Sequence, residues 1–166
     1  MHDDTISLLK AVLPARTNFS LLEQELREEE CSIYWIGDRP QRQVQVAVIE
    51  VRHPDGRILV ESQQQSKVSG EIRHRNIKAV SEKFKPGETP TDAALRGLRE
   101  ELGLEGDINL TYQRTGIEHK ESGSYPLLET KYTLFFFSTT LSPDQVREDY
   151  IADEGDKFIF FDWLTP

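Results

Sequence analysis

From Gln43 onward apolar and polar positions alternate. Val44, Val46, Val48 and Val51 lead to His53-Pro54-Asp55-Gly56, and Arg57-Ile58-Leu59-Val60 runs back. A period of two marks a strand with one buried face, and a turn with glycine where φ becomes positive joins such strands into a hairpin. Ahead of it the rhythm is helical. Ile6, Leu8, Leu9, Val12 and Leu13 predict a short helix stopped by Pro14, and Asn18 is suited to cap a second helix through Glu30 with Phe19, Leu22 and Leu26 on one side. A strand is expected over Ser32–Ile36. Residues 62–76 are polar and read as a loop before a short strand at 77–80. Residues 108–117 and 130–139 read as strands that cross the sheet, separated by a loop over 118–126, and residues 157–161 as a last strand. The run Phe135-Phe136-Phe137 is expected to be buried on both faces.

One more helix is signalled more fully than the others. Lys85-Pro86-Gly87 makes a turn, Thr89 is a suitable N-cap, Pro90 fits the first helical position, and Asp92 completes a capping box. Gly103 supplies the stop. At roughly 100° per residue, Ala94, Leu95, Leu98 and Leu102 share the side expected to pack. Ala93, Arg96, Gly97, Glu100 and Glu101 share an opposing arc, in which adjacent glutamates flank a patch of small residues. Such an arc can supply oxygen ligands to Mg²⁺, or be a solvated face with Arg96 and Glu100 paired at i, i+4.

The string from Ser81 to Leu104 resembles the Nudix box: Gly, five residues, Glu, seven residues, Arg-Glu, an aliphatic, one residue, Glu-Glu, one residue, Gly, an aliphatic. Glu88, Arg96, Leu98, Glu100, Glu101, Gly103 and Leu104 stand in register with it. Two positions depart: Glu82 stands where the box opens with Gly, and Gly97 where a Glu follows the Arg. The resemblance implies a Nudix-type mixed-sheet α/β/α sandwich over residues 40–166, with residues 1–39 as an N-terminal helical extension. It also implies a Mg²⁺- or Mn²⁺-dependent pyrophosphohydrolase acting on a nucleoside diphosphate linked to another group. Glu100 and Glu101 would hold the metal, with Glu88, Arg96 and Gly103 supporting the motif. Gly97 either makes room for packing or a ligand, or marks a decayed site. Glu82 either replaces the missing ligand or is a surface residue. The opposing reading is a ligand-binding or regulatory module that keeps the fold without turnover. Relatives often pair, so a homodimer is one expectation.

Charge narrows the field. The chain carries a net charge of −9 with 30% of residues charged and no basic stripe, which disfavours nucleic acid as a partner. No window is apolar enough to span a bilayer, and Asp3 and Asp4 are unlike a signal peptide. One cysteine, Cys31, excludes an intrachain disulfide and reads as a small packing residue, which suits a reducing, cytoplasmic setting. Arg73-His74-Arg75 is the densest basic cluster, either a phosphate clamp through Arg73 and Arg75 or solvated loop charge. Tyr34 and Trp35 either stack on a ligand ring or are edge residues. The run Glu28-Glu29-Glu30 reads as a solvated helix end. The Nudix resemblance also implies a carboxylate from the acidic stretch before the last strand at the metal site or as general base, which makes Glu154 a candidate beside Glu82 and Glu121, the alternative being a solvated acidic loop.

Overall fold

The computed structural model describes residues 2–165. Its centre is the 14-residue strand β2 (Arg39–Arg52), whose alternation sorts side chains to opposite faces. Val44 and Val46 join the core on one face, and Ala47, Ile49 and Val51 the core on the other. Along one edge β2 runs parallel to β7 (Glu129–Thr140), from Gln41↔Glu129 to Arg52↔Thr140. Its other edge is shared out. Strand β1 (Ser32–Ile36) pairs antiparallel with the start of β2, β5 (Val80–Lys83) pairs antiparallel with Val46–Ile49, and β3 (Ile58–Ser66) leaves from the hairpin at Arg52↔Ile58. Outward from β3 lie β9 (Lys157–Leu164) and then β8 (Asp149–Asp153), while β4 (Ile72–Ile77) pairs with β3, and β6 (Thr111–Glu121) lies outside β7. One parallel pairing among antiparallel ones makes the sheet mixed.

Helices cover both faces, so the chain is an α/β/α sandwich, as expected. On one face α1 (His2–Val12) and α2 (Phe19–Arg27) pack through Ile6, Leu9, Leu22 and Leu26 onto Val44 and Val46, with Leu8 and Val12 left exposed. Asn18 caps α2 by accepting the Leu21 N–H at 3.1 Å. On the other face α3 (Pro90–Leu102) packs through Ala94, Leu98 and Leu102. Its ends are those expected. Thr89 and Asp92 close a capping box, and Gly103 takes a left-handed conformation with φ 64°. No described helix is long and apolar enough to cross a membrane.

Several expectations are corrected. The polar stretch at 62–76 is a hairpin, because β3 continues to Ser66 and β4 returns from Ile72; polar side chains tolerate a strand whose backbone is paired on both edges. The strand placed at 77–80 is interrupted at Lys78-Ala79, so β4 and β5 join different partners. Strand β6 starts later and runs on to Glu121, and β8 was not foreseen. Phe137 is buried and Phe135 packs against Phe84, but Phe136 is covered by the Arg114 guanidinium, 3.9 Å from its ring centre, rather than by core. In α3 the small residues Ala93 and Gly97 are buried, while Leu95 is only half-buried. Strand β5 lies against that side of the helix.

Candidate active site

Strand β5, the turn at Lys85-Pro86-Gly87 and α3 form one strand–loop–helix unit, tied together by Arg96. Its Nε and Nη2 donate to the two Glu88 oxygens at 2.8 and 2.9 Å, and Nη2 also donates to the Lys83 carbonyl at 2.7 Å. Nη1 donates to Glu82 at 2.9 Å and Glu100 at 3.2 Å. Glu88 in turn accepts the Lys85 N–H at 2.6 Å. The planar fork of arginine suits this two-pronged recognition. The Arg96 hydrogen bond holds the Glu88 carboxyl below its ordinary range, and the Glu88 hydrogen bond helps push Arg96 above its own. Both residues are therefore charged and fixed in place.

The remaining acids lie under a different balance. Glu82 is mostly buried, and burial raises its pKa against the opposing pull of Arg96, with repulsion from Glu100 and Glu154 adding to the rise. Glu101 goes further. Burial first, then its hydrogen bond with Glu154 and repulsion by Glu154, Glu82 and Glu100 push it up to about 9. Carboxylates from β5, α3 and the β8–β9 turn thus repel one another across a short span.

Glu101 and Glu154 line a small recess of about 70 Å³ together with Ser81, Arg75 and Glu61. Glu61 was missed in the sequence, although a charged residue closing the apolar run Ile58-Leu59-Val60 was the available signal. It is 9% exposed; its Oε2 lies 2.8 Å from Arg75 Nε, yet the geometry leaves that oxygen without a hydrogen bond. Arg73 is exposed and borders another recess with Gln64 and Lys157. Glu121 lies at the end of β6, where it accepts the Leu127 N–H at 2.5 Å. Tyr34 and Trp35 are exposed on β1, with Tyr34 bordering a larger recess of about 580 Å³ that also reaches Phe84. The buried Cys31 thiol is pushed up to about 11 by burial, which makes it inert.

Among the described residues no three acidic, histidine or cysteine side chains stand together so as to hold an ion as placed, and Arg96 holds Glu82 and Glu100. The donor set nonetheless fits Mg²⁺ or Mn²⁺. All its donors are carboxylate oxygens, the hard ligands such cations take. Their mutual repulsion is relieved by a cation, the Glu61 Oε2 lacks a hydrogen-bond donor, and the Glu100 side chain is 51% exposed and has room to turn.

The model of the NUDIX domain matches residues 41–166 of this chain. Solved structures similar to it include DR0079 from Deinococcus radiodurans, at 19% identity and a TM-score of 0.46, covering 74% of this chain and 67% of that one. The MutT protein from Methanosarcina mazei Go1 is similar at 14% identity and a TM-score of 0.47, covering 74% and 77%. The ORF135 protein from E. coli is similar at 21% identity and a TM-score of 0.42, covering 80% and 79%. No curated protein matches. Since the matched domain takes in β5, the turn and α3 as well as the Glu154 segment, the chain belongs to the Nudix family.

Proposed function

We propose that this protein is a Mg²⁺- or Mn²⁺-dependent hydrolase of a diphosphate bond in a small molecule, a nucleoside diphosphate linked to another group. The observation that carries this reading is the meeting of Glu101, from α3, with Glu154, from the turn before β9, in one recess with Arg75 beside them. Acids brought together from positions so distant in sequence, with the Glu101 carboxyl raised by burial first and by Glu154 next, mark a functional cluster more often than a chance one.

Glu100 and Glu101 are the residues to hold the cation, which when bound neutralises phosphate charge and sharpens a water as nucleophile. Arg96 orients Glu100 through a hydrogen bond and is itself held by Glu88, so it is a positioning residue. Glu154 sits beside Glu101 and is the acid best placed to take a proton from the attacking water. Arg75 brings positive charge into an otherwise acidic recess, where it favours a substrate phosphate.

A second reading, a binding or regulatory module without turnover, draws on the Arg96 contacts that engage Glu82 and Glu100. A screen of nucleotide sugars, dinucleotides, nucleoside triphosphates and coenzyme-linked diphosphates with Mg²⁺ and Mn²⁺ separates the two. Hydrolysis lost in Glu101→Gln supports the enzyme. Tight binding of one of these compounds without turnover supports the module.

A further inference from the structure

Glu82 and Gly97 occupy one another's space. A Cβ built on Gly97 would stand 2.8 Å from the Glu82 Cβ, 3.1 Å from its Cγ and 3.4 Å from Oε2. Real Cβ atoms do not approach that closely, so residue 97 stays a glycine for as long as residue 82 carries this side chain. The strand dictates the direction. Glu82 is opposite Ala47, a buried residue of the core on the α3 face, whereas Lys83 points to the other face and reaches Glu25 at 3.0 Å. The side chain of Glu82 therefore lies along the helix at Gly97, and its carboxylate accepts from the same Arg96 Nη1 that donates to Glu100.

These are also the two positions at which the chain departs from the box it resembles, glycine and glutamate having changed places. Because the roots of the two side chains would stand 2.8 Å apart, a carboxylate from either reaches the same neighbourhood. We infer that Glu82 on β5 delivers to the cation the carboxylate that α3 lacks at position 97, and that Gly97 is the space this transposed ligand needs. The inference rests on the cation-dependent reading of the site and deepens it.

A purely structural Glu82 would serve only to receive Arg96 Nη1. Glu82→Gln separates the roles, since an amide oxygen still accepts that hydrogen bond but is a far poorer cation ligand. Mn²⁺ titration of the full chain, followed by the free-ion electron paramagnetic resonance signal, is the test, with thermal melting alongside. Glu82→Gln is expected to keep its melting temperature and bind Mn²⁺ about tenfold or more weakly, the scale of loss seen when metal-site residues are changed. Gly97→Glu alone is expected to melt lower and bind poorly, because two side chains contend for one space. The double exchange Glu82→Gly with Gly97→Glu is expected to recover both. Wild-type Mn²⁺ affinity in Glu82→Gln, alongside loss in Glu101→Gln, overturns the transposition and leaves the cation site standing. A double exchange that binds no better than Gly97→Glu alone also overturns it. If the wild type and every variant ignore Mn²⁺, the cation reading itself falls.

Discussion

Arg96 and Glu88 form a two-pronged ion pair, Nε to Oε2 at 2.8 Å and Nη2 to Oε1 at 2.9 Å, with side chains 16% and 15% exposed. Since the same guanidinium also holds the Lys83 carbonyl, it fixes β5 against α3. Arg96→Ala strands Glu88 and Glu82 in partly buried surroundings and is expected to cost about 2–4 kcal/mol. Arg96→Lys keeps the charge without the fork and recovers only part of this. Urea denaturation midpoints measure both.

On the opposite face, Glu25 of α2 is 6% exposed and accepts from Arg42 at 3.0 Å, Lys83 at 3.0 Å and Tyr125 at 2.9 Å. Burial acts to raise its pKa, but Arg42, Lys83 and Tyr125 together outweigh it, and the pKa lies below the ordinary 4.5. A depressed acid stabilises the fold above its unfolded value and ceases to do so as the pH falls through the native one. Glu25→Gln is expected to cost about 3–5 kcal/mol at neutral pH, as when one partner of a buried pair is removed. The gap between variant and wild type is expected to narrow as the pH falls below 4.5, which denaturation at a series of pH values tests.

The ends of α3 make separable contributions. Thr89→Ala removes the acceptor of the Asp92 N–H, held at 3.1 Å, and is expected to cost about 1 kcal/mol. Gly103→Ala forces a side chain into φ 64° and is expected to cost about 1 kcal/mol as well. Lying at opposite ends of the helix, the two should add in the double variant, and thermal melting with a van't Hoff analysis reads the sum.

Arg75 and Arg73 stand two residues apart on β4 with different surroundings, one against Glu61 and the recess of Glu101, the other exposed beside Gln64. Loss of a charge-assisted contact to phosphate costs about 1.5–3 kcal/mol, or about 10- to 150-fold. Arg75→Ala is expected to raise KM for the diphosphate substrate by such a factor, while Arg73→Ala leaves it near that of the wild type. Steady-state kinetics of the two variants decides.

Much of this was legible in the sequence where the signal is local. The turn at Lys85-Pro86-Gly87, the Thr89 cap, the Gly103 stop and the pairing of Arg96 with Glu100 depend on residues within one unit of chain. Helical periodicity misplaced Ala93 and Gly97 because it tracks large apolar residues, whereas here a strand covers the small ones. Glu61 and Glu25 stayed hidden for a related reason: their partners, Arg75 and Arg42, come from other elements and only the fold brings them together. Glu154 became a candidate through the resemblance, since an acidic turn alone does not reveal that it shares a recess with Glu101. The strand at β8 lay in a segment read only for its acids.

The central claim, that Glu101 joins a divalent cation to a diphosphate, is tested most directly by the initial rate of diphosphate-bond cleavage in wild type and Glu101→Gln, with Mn²⁺ and with chelator. The account predicts turnover in the wild type with Mn²⁺ only, and none in a variant that melts like the wild type. Undiminished turnover in Glu101→Gln, or turnover that persists in chelator, would contradict it.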